Sequence, residues 1–249
     1  MKRFRNIAKW LIVVIILTIW QFSNVPEYLL PKPSTIVSAI VEQWDVLLDH
    51  SIFTLGEALT GLILGLVFGT GIASLMYFLK PLAGVLYPVL VLSQAIPIVA
   101  VAPLIVIWFG FGYWTKIGTV TFMCFFPIAV SSYEGFRTVD PEALELFKVM
   151  KASRYQIMRF LILPHTLPHI LSGLKISSAY AVVGAVIAEW LGSEKGLGVY
   201  LIRAMNTFRA DRLFSSVIII VFFSLLVFKT VDHISKIITP WLEERRLKV

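Results

Sequence analysis

The sequence predicts an all-α membrane protein of about six spans, and three observations lead to that fold class. The 249 residues are 58% hydrophobic and 15% charged, with a mean hydropathy of +0.84, whereas a soluble domain carries about 25% charged residues. The apolar residues gather in runs long enough to cross a ~30 Å hydrocarbon core as helices. Lysine and arginine alternate between rich and poor connecting segments, as expected of a chain that crosses a bilayer repeatedly. The net charge of +7 is then explained by basic residues flanking spans, and no soluble basic segment is present to take nucleic acid. Cys124 is the single cysteine, so the chain has no internal disulfide framework.

Six spans are predicted at about 8–26, 52–79, 84–109, 115–134, 169–191 and 214–238. The first follows "MKRFR", a basic start typical of a signal peptide. No small-x-small cleavage pattern follows it, so it is expected to remain as an uncleaved span. The third lies in a stretch without charge from Pro81 to Thr115. It is too long for one straight helix and contains Pro88, Pro97 and Pro103, so a kinked span with re-entrant or interfacial ends is expected. Gly61, Gly65 and Gly69 of the second span form overlapping GxxxG patterns, which predict close helix packing inside the subunit.

Orientation follows from the loops. Lys2, Arg3, Arg5 and Lys9, then Lys80, then Arg137, Lys148, Lys151, Arg154 and Arg159, and finally Arg245, Arg246 and Lys248 all fall on the cytoplasmic side if both termini are cytoplasmic. The segment 192–213 runs against the rule, with Lys195, Arg203, Arg209 and Arg212 outside. The whole chain, 1–249, reads as one membrane domain.

Between the fourth and fifth spans lies a charged stretch, about 137–164, that includes "ELFKVMKASRYQIMRFLILP". Asp140 is a plausible N-cap, Pro141 fits the first helical position, and Glu142 sits near the positive end of the helix dipole. This predicts a helix over 141–151. Ser153 and Gln156 match a capping box, so a second helix is expected to start at Ser153. At 100° per residue, Glu145, Lys148, Ala152 and Arg159 project to one side. Leu146, Met150, Ile157 and Leu161 project to the other, where they are expected to rest on the membrane domain. A solvated surface loop and an interfacial helix lying on anionic lipid would read similarly.

The spacing of this stretch resembles the signature loop of bacterial ABC importer permeases: E-A-A, three residues, G, nine residues, I-x-L-P. Glu145, Leu163 and Pro164 match it, Leu146-Phe147 replace the alanines, Lys151 replaces the glycine and Leu161 the isoleucine. The segments "LPKPSTIVSAI", "AIPIVAVAPLIVIWFGFG", "LPHILSGLKIS" and "AEWLGSEKGLG" extend the resemblance over nearly the whole chain. They are similar to the nitrate, sulfonate and taurine group of these permeases, which includes transporters of thiamine-precursor pyrimidines. The resemblance implies a six-span permease of the bacterial cytoplasmic membrane, paired with a second copy. It implies that separate ATPase subunits, carrying ATP and Mg, dock at a coupling helix formed by Glu142, Glu145, Lys148, Lys151, Ala152, Ser153, Arg154 and Pro164. An extracytoplasmic binding protein would deliver the solute to segments near 28–50 and 192–212. Lys151 cannot turn the chain as glycine does, so the break is expected at Ala152-Ser153. Independently of the resemblance, the chain has no G-x-x-x-x-G-K-[ST] phosphate loop, so ATP would have to bind another chain.

Candidate pathway residues are Glu57, Gln94, Pro97 and Glu189. An acid within a span costs on the order of 2.5–3.5 kcal/mol to insert, so it usually faces a bundle interior or a water-filled path; the other readings open to Glu57 and Glu189 are pairing that holds helices together and hydration near the membrane interface. The core of spans two to five is read as free of lysine and arginine, which favours a small heteroaromatic solute over sulfonate, taurine, nitrate or bicarbonate. A self-powered secondary transporter using Glu57 or Glu189 is the rival class, but such folds often carry internal repeats and none is found. His165 and His169 flank Pro168 without the H-E-x-x-H glutamate, so no metal site is expected. No nucleophile–base set for catalysis is recognisable.

Overall fold

The computed structural model describes residues 2–241, with side chains from residue 11 onward. The basic side chains of Lys2, Arg3, Arg5 and Lys9, and Arg245, Arg246 and Lys248, therefore lie outside the described residues. Among the described residues there are α-helices, one π-helical turn and no strand. The helices are α1 (Lys2–Gln21), α2 (Pro33–Glu42), α3 (Trp44–Phe78), α4 (Lys80–Ser93), α5 (Ile98–Phe109), α6 (Tyr113–Arg137), α7 (Pro141–Val149), α8 (Arg154–Ile157), α9 (Leu163–Glu189), α10 (Leu197–Asn206) and α11 (Ala210–Ile238).

Four helical runs are long and apolar enough to cross a membrane: Trp44–Phe78, Tyr113–Arg137, Arg154–Glu189 and Ala210–Ile238. The pair α4 and α5, bent by 110°, makes a fifth, broken span, and Leu11–Gln21 of α1 is a shorter apolar helix. The predicted third span thus breaks at a single place. Pro97 disfavours a helical conformation at the residue before it, so the chain turns over 94–97, while Pro88 and Pro103 stay inside helices. The fifth span differs from its predicted bounds of 169–191. α8 runs into α9 through the π-turn Met158–Ile162, and Pro164 sits in the first turn of α9. Pro164 therefore does not close a loop. The wider π-turn just before it absorbs the change of register that its missing N–H demands.

α6 is the central helix, packed between α3 and α9. Gly61, Gly65 and Gly69 let α3 approach it. A Cβ on Gly61 would lie 2.5 Å from Val120 Cβ, one on Gly65 2.8 Å from Cys124 Cβ, and one on Gly69 2.9 Å from Ile128 Cγ2. The glycine stripe meets Val120, Cys124 and Ile128, one face of α6 at helical spacing, so its use is packing inside the subunit. On the other side of α6, Ser177 Oγ donates to the Cys124 carbonyl at 2.8 Å. The core so formed includes Leu62, Val120, Ile128, Val182 and Leu197. Facing outward, Ile63, Val67, Phe68, Ile107, Trp108, Val221, Phe222 and Leu225 are exposed, an apolar belt too wide for contact with water.

Candidate functional site

At one end of the bundle, α7 is built as a rigid short helix. Asp140 accepts from the Glu142 N–H at 2.9 Å, with Pro141 in the first turn. Ser153 and Gln156 form the reciprocal capping box, Gln156 Oε1 accepting from Ser153 N at 2.7 Å and Ser153 Oγ from Gln156 N at 3.3 Å. Between the two caps, Lys151 has φ +56°. The Lys151 N–H donates to the Lys148 carbonyl at 2.9 Å and the Ala152 N–H to the Phe147 carbonyl at 3.0 Å. This paired pattern around a left-handed residue is the Schellman ending of a helix. Lys151 itself makes the turn expected of glycine, which corrects the expectation that Ala152-Ser153 would make it.

The apolar side of α7 also differs from expectation. Ile157 and Leu161 do pack on the membrane domain, together with Leu144 and Met158, against Phe136, Val139 and Ile162. Leu146 and Met150 do not: they are 58% and 70% exposed, and Val149 beside them is 74% exposed. α7 therefore leans on the bundle through Leu144 and presents Leu146, Val149 and Met150 to the outside, with Glu142, Glu145, Lys148, Lys151, Ser153 and Arg154 also exposed. A cavity of about 790 Å3 separates α7 and α8 from the spans, lined in part by Tyr77, Tyr133, Arg137, Lys148 and Arg154.

At the opposite end, Glu57 and Glu189 are almost fully buried, 0% and 1% exposed. Lys116 Nζ lies 2.5 Å from Glu57 Oε1 and donates to Ser193 Oγ at 2.8 Å. Glu189 Oε1 accepts from Thr54 Oγ1 at 2.6 Å, and its Oε2 accepts from the Gly198 N–H at 2.6 Å. Thr54 Oγ1 also accepts from the Leu197 N–H at 2.8 Å, and His50 Nδ1 accepts from the Gly196 N–H at 2.8 Å. Three successive N–H groups at the start of α10, which a helix cannot satisfy internally, are thus taken up by α3 and α9. Glu189 caps α10, where a carboxylate also meets the positive end of the helix dipole. Gly196, at φ +127°, passes directly against the Glu189 carboxylate, where no Cβ would fit.

Both acids are thus enclosed within this chain by α3, α6, α9 and α10. The reading of spans two to five as free of cations is corrected as well: Lys116 pairs with Glu57, and Lys175 Nζ lies 2.7 Å from Asp232 Oδ1, joining α9 to α11. His50 and Thr54 are the residues that sequence reasoning missed. With Glu57 they recur at i, i+4 and i+7 in an otherwise apolar helix, a polar stripe whose spacing assigns all three to one face.

Gln94 and Pro97 stand at the 110° bend between α4 and α5. Gln94 borders a cavity of about 320 Å3 that is also lined by Phe122, Met123, Phe126, Pro127 and Tyr180. His165 and His169 lie side by side on one face of α9, their rings tilted by 36° with centroids 5.7 Å apart, and His165 Nε2 lies 3.3 Å from Thr138 Oγ1.

Residues 61–244 match the family described as the binding-protein-dependent transport system inner membrane component. A probable ABC transporter permease protein of Haemophilus influenzae is 36% identical over 92% of this chain and 96% of its own length. The formylaminopyrimidine transport permease protein ThiX of Halalkalibacterium halodurans is 34% identical over 98% of this chain and 100% of its own. Among solved structures, a chain of the inward-facing MetNI methionine ABC transporter superposes with a TM-score of 0.65 at 20% identity, over 80% of this chain and 98% of that one; at that identity the likeness concerns the fold alone. The chain belongs to the binding-protein-dependent inner-membrane components, the permease subunits of ABC importers.

Proposed function

We propose that the chain works as a pair with a second copy in a bacterial cytoplasmic membrane, both termini in the cytoplasm, and imports a small heteroaromatic solute of the formylaminopyrimidine class. ATP and Mg act on separate ATPase subunits, which seat α7 of each copy in a groove. A binding protein delivers the solute on the far side, near 28–50 and 192–212.

The observation that carries the coupling role is the bare row Leu146, Val149 and Met150 on a helix fixed at both ends. Each of the three is more than half exposed. They project from a helix flanked by Glu142, Glu145 and Lys148 and held in shape by Asp140, Lys151, Ala152 and Ser153. A short amphipathic helix offering apolar anchors with a charged rim is the form that fits a groove on another protein. Arg154 and Pro164 belong to the first turns of the span that α7 would push, because α8 passes into α9 through the π-turn Met158–Ile162. The solute class is supported by the relative named for formylaminopyrimidine, which aligns along its full length.

Glu145→Lys tests the coupling. It is expected to leave the permease folded, to abolish uptake in proteoliposomes and to lose the ATPase on co-purification. Normal uptake with a retained ATPase would overturn the assignment of α7. In the same reading, Glu57 and Glu189 hold the subunit together, and Gln94 and Pro97 remain at the path.

A further inference from the structure

The cavity beside the α4–α5 bend carries a chemistry of its own. Its volume of about 320 Å3 falls at the lower end of the range for small-molecule pockets, roughly 300–1,000 Å3. Among the described residues no charged side chain lines it. Phe122 and Phe126, one turn apart on α6, meet edge to face with centroids 4.8 Å apart, which leaves ring surface toward the cavity. Tyr180 of α9 is half exposed at the opposite wall.

Three polar side chains accompany these rings: Ser93, Gln94 and Tyr180. The Ser93 hydroxyl donates to the Val89 carbonyl at 2.7 Å, while the side-chain amide of Gln94 and the Tyr180 hydroxyl bond to no other described residue. A backbone carbonyl lies nearby. Pro127 has no N–H to return to the carbonyl of Met123, one turn earlier, and both residues line the cavity. The site therefore offers an amide that both donates and accepts, a phenol and aromatic faces, beside a Met123 carbonyl that lacks its ordinary helical donor. An anion such as a sulfonate would find no cation here, and leaving water for an unpaired site is costly for a charge. A flat ring with amino and ring-nitrogen edges would be held on its faces by stacking and on its edges by these groups.

We propose that the cavity bounded by Gln94, Phe122, Met123, Phe126, Pro127 and Tyr180 is a binding site for the translocated solute within the permease, and that it takes an uncharged, flat heteroaromatic ring with hydrogen-bonding edges. This rests on the heteroaromatic reading given above and locates it in the chain. The cavity adjoins the bend between α4 and α5, so a change in that angle would open or close it.

The experiment uses the complete complex, with its ATPase and binding protein, in proteoliposomes. Formylaminopyrimidine and taurine serve as probes. The expected result is saturable formylaminopyrimidine uptake that falls about tenfold in both Gln94→Leu and Tyr180→Phe, each variant still co-purifying with the ATPase. A second measurement does not depend on transport. Ser93 lines the same cavity, and the native Cys124 is fully buried. Alkylation of Ser93→Cys is expected to slow at least fivefold with formylaminopyrimidine present and to be unchanged by taurine. If the wild type imports formylaminopyrimidine but both variants stay within twofold of it and Ser93→Cys is unprotected, the site is overturned and the solute class stands. If the wild type imports taurine and not formylaminopyrimidine, the solute class falls and the site falls with it.

Discussion

Lys116 Nζ sits 2.5 Å from Glu57 Oε1, joining α6 to α3 where the carboxylate has no exposure to solvent. The pair offsets part of the cost of an acid inside a span, because Glu57 faces a lysine of the neighbouring helix. Removing one partner of a buried pair leaves the other charge uncompensated, at about 3–5 kcal/mol, whereas replacing both with apolar residues is often neutral. Glu57→Leu and Lys116→Met are each expected to lower the unfolding midpoint of the detergent-solubilised permease. The double variant is expected to recover most of the loss. Additive losses in a double-mutant cycle would show that the two do not act as a pair.

The cap of α10 gives a second expectation. Thr54 Oγ1 donates to Glu189 and accepts from Leu197 N, so Thr54→Val leaves two buried groups short of a partner, at about 1–3 kcal/mol each. Thr54→Ser keeps the hydroxyl and is expected to stay near the wild type. Gly196→Ala should be worse than Thr54→Val, because it adds a Cβ against the Glu189 carboxylate at φ +127°. Thermal unfolding of the three variants orders them; equal midpoints for Thr54→Val and Thr54→Ser would contradict the cap.

Lys151 is held at φ +56°, a conformation that costs a non-glycine residue roughly 1–2 kcal/mol. Lys151→Gly is expected to relieve about 1 kcal/mol and to slow hydrogen exchange at the Lys151 and Ala152 amides. Lys151→Ile, β-branched and poorly suited to φ > 0, is expected to speed that exchange and to reduce uptake. Faster exchange in Lys151→Gly than in the wild type would refute the role of this residue as the turn.

The proposed orientation is open to labelling. With Cys124 buried at 0% exposure, the native thiol gives little background. Cysteines at Lys32 and Lys195 are expected to react with an impermeant maleimide on intact cells, and one at Lys148 only after permeabilisation. Lys195 is the suitable outer position because the neighbouring Gly196 is buried. Labelling of Lys148→Cys on intact cells would reverse the topology and remove α7 from the ATPase side.

Much of this chain could be read before folding. Four of the predicted spans appear as single helices and the third as the broken pair, because burial of a helix in lipid demands a long apolar run whatever its neighbours are. The caps of α7 and α8 were legible for a similar reason: Asp140, Pro141, Ser153 and Gln156 satisfy backbone groups within a few residues of themselves. The glycine stripe of α3 announced a close approach, and only tertiary structure named α6 as the helix that makes it.

By itself the sequence determined the long apolar runs and the caps of α7 and α8, which rest on short-range spacing, and the family, which rests on segments along nearly the whole chain. Tertiary structure alone decided what the charges do. Glu57 and Glu189 read as isolated acids in apolar helices. Their partners Lys116 and Thr54 are 59 and 135 residues away in sequence, and nothing local to either acid specifies them. The turn at Lys151 was hidden for a different reason. A left-handed residue is normally paid for by glycine's freedom, and here the hydrogen bonds of the helix ending on Phe147 and Lys148 hold a lysine there instead.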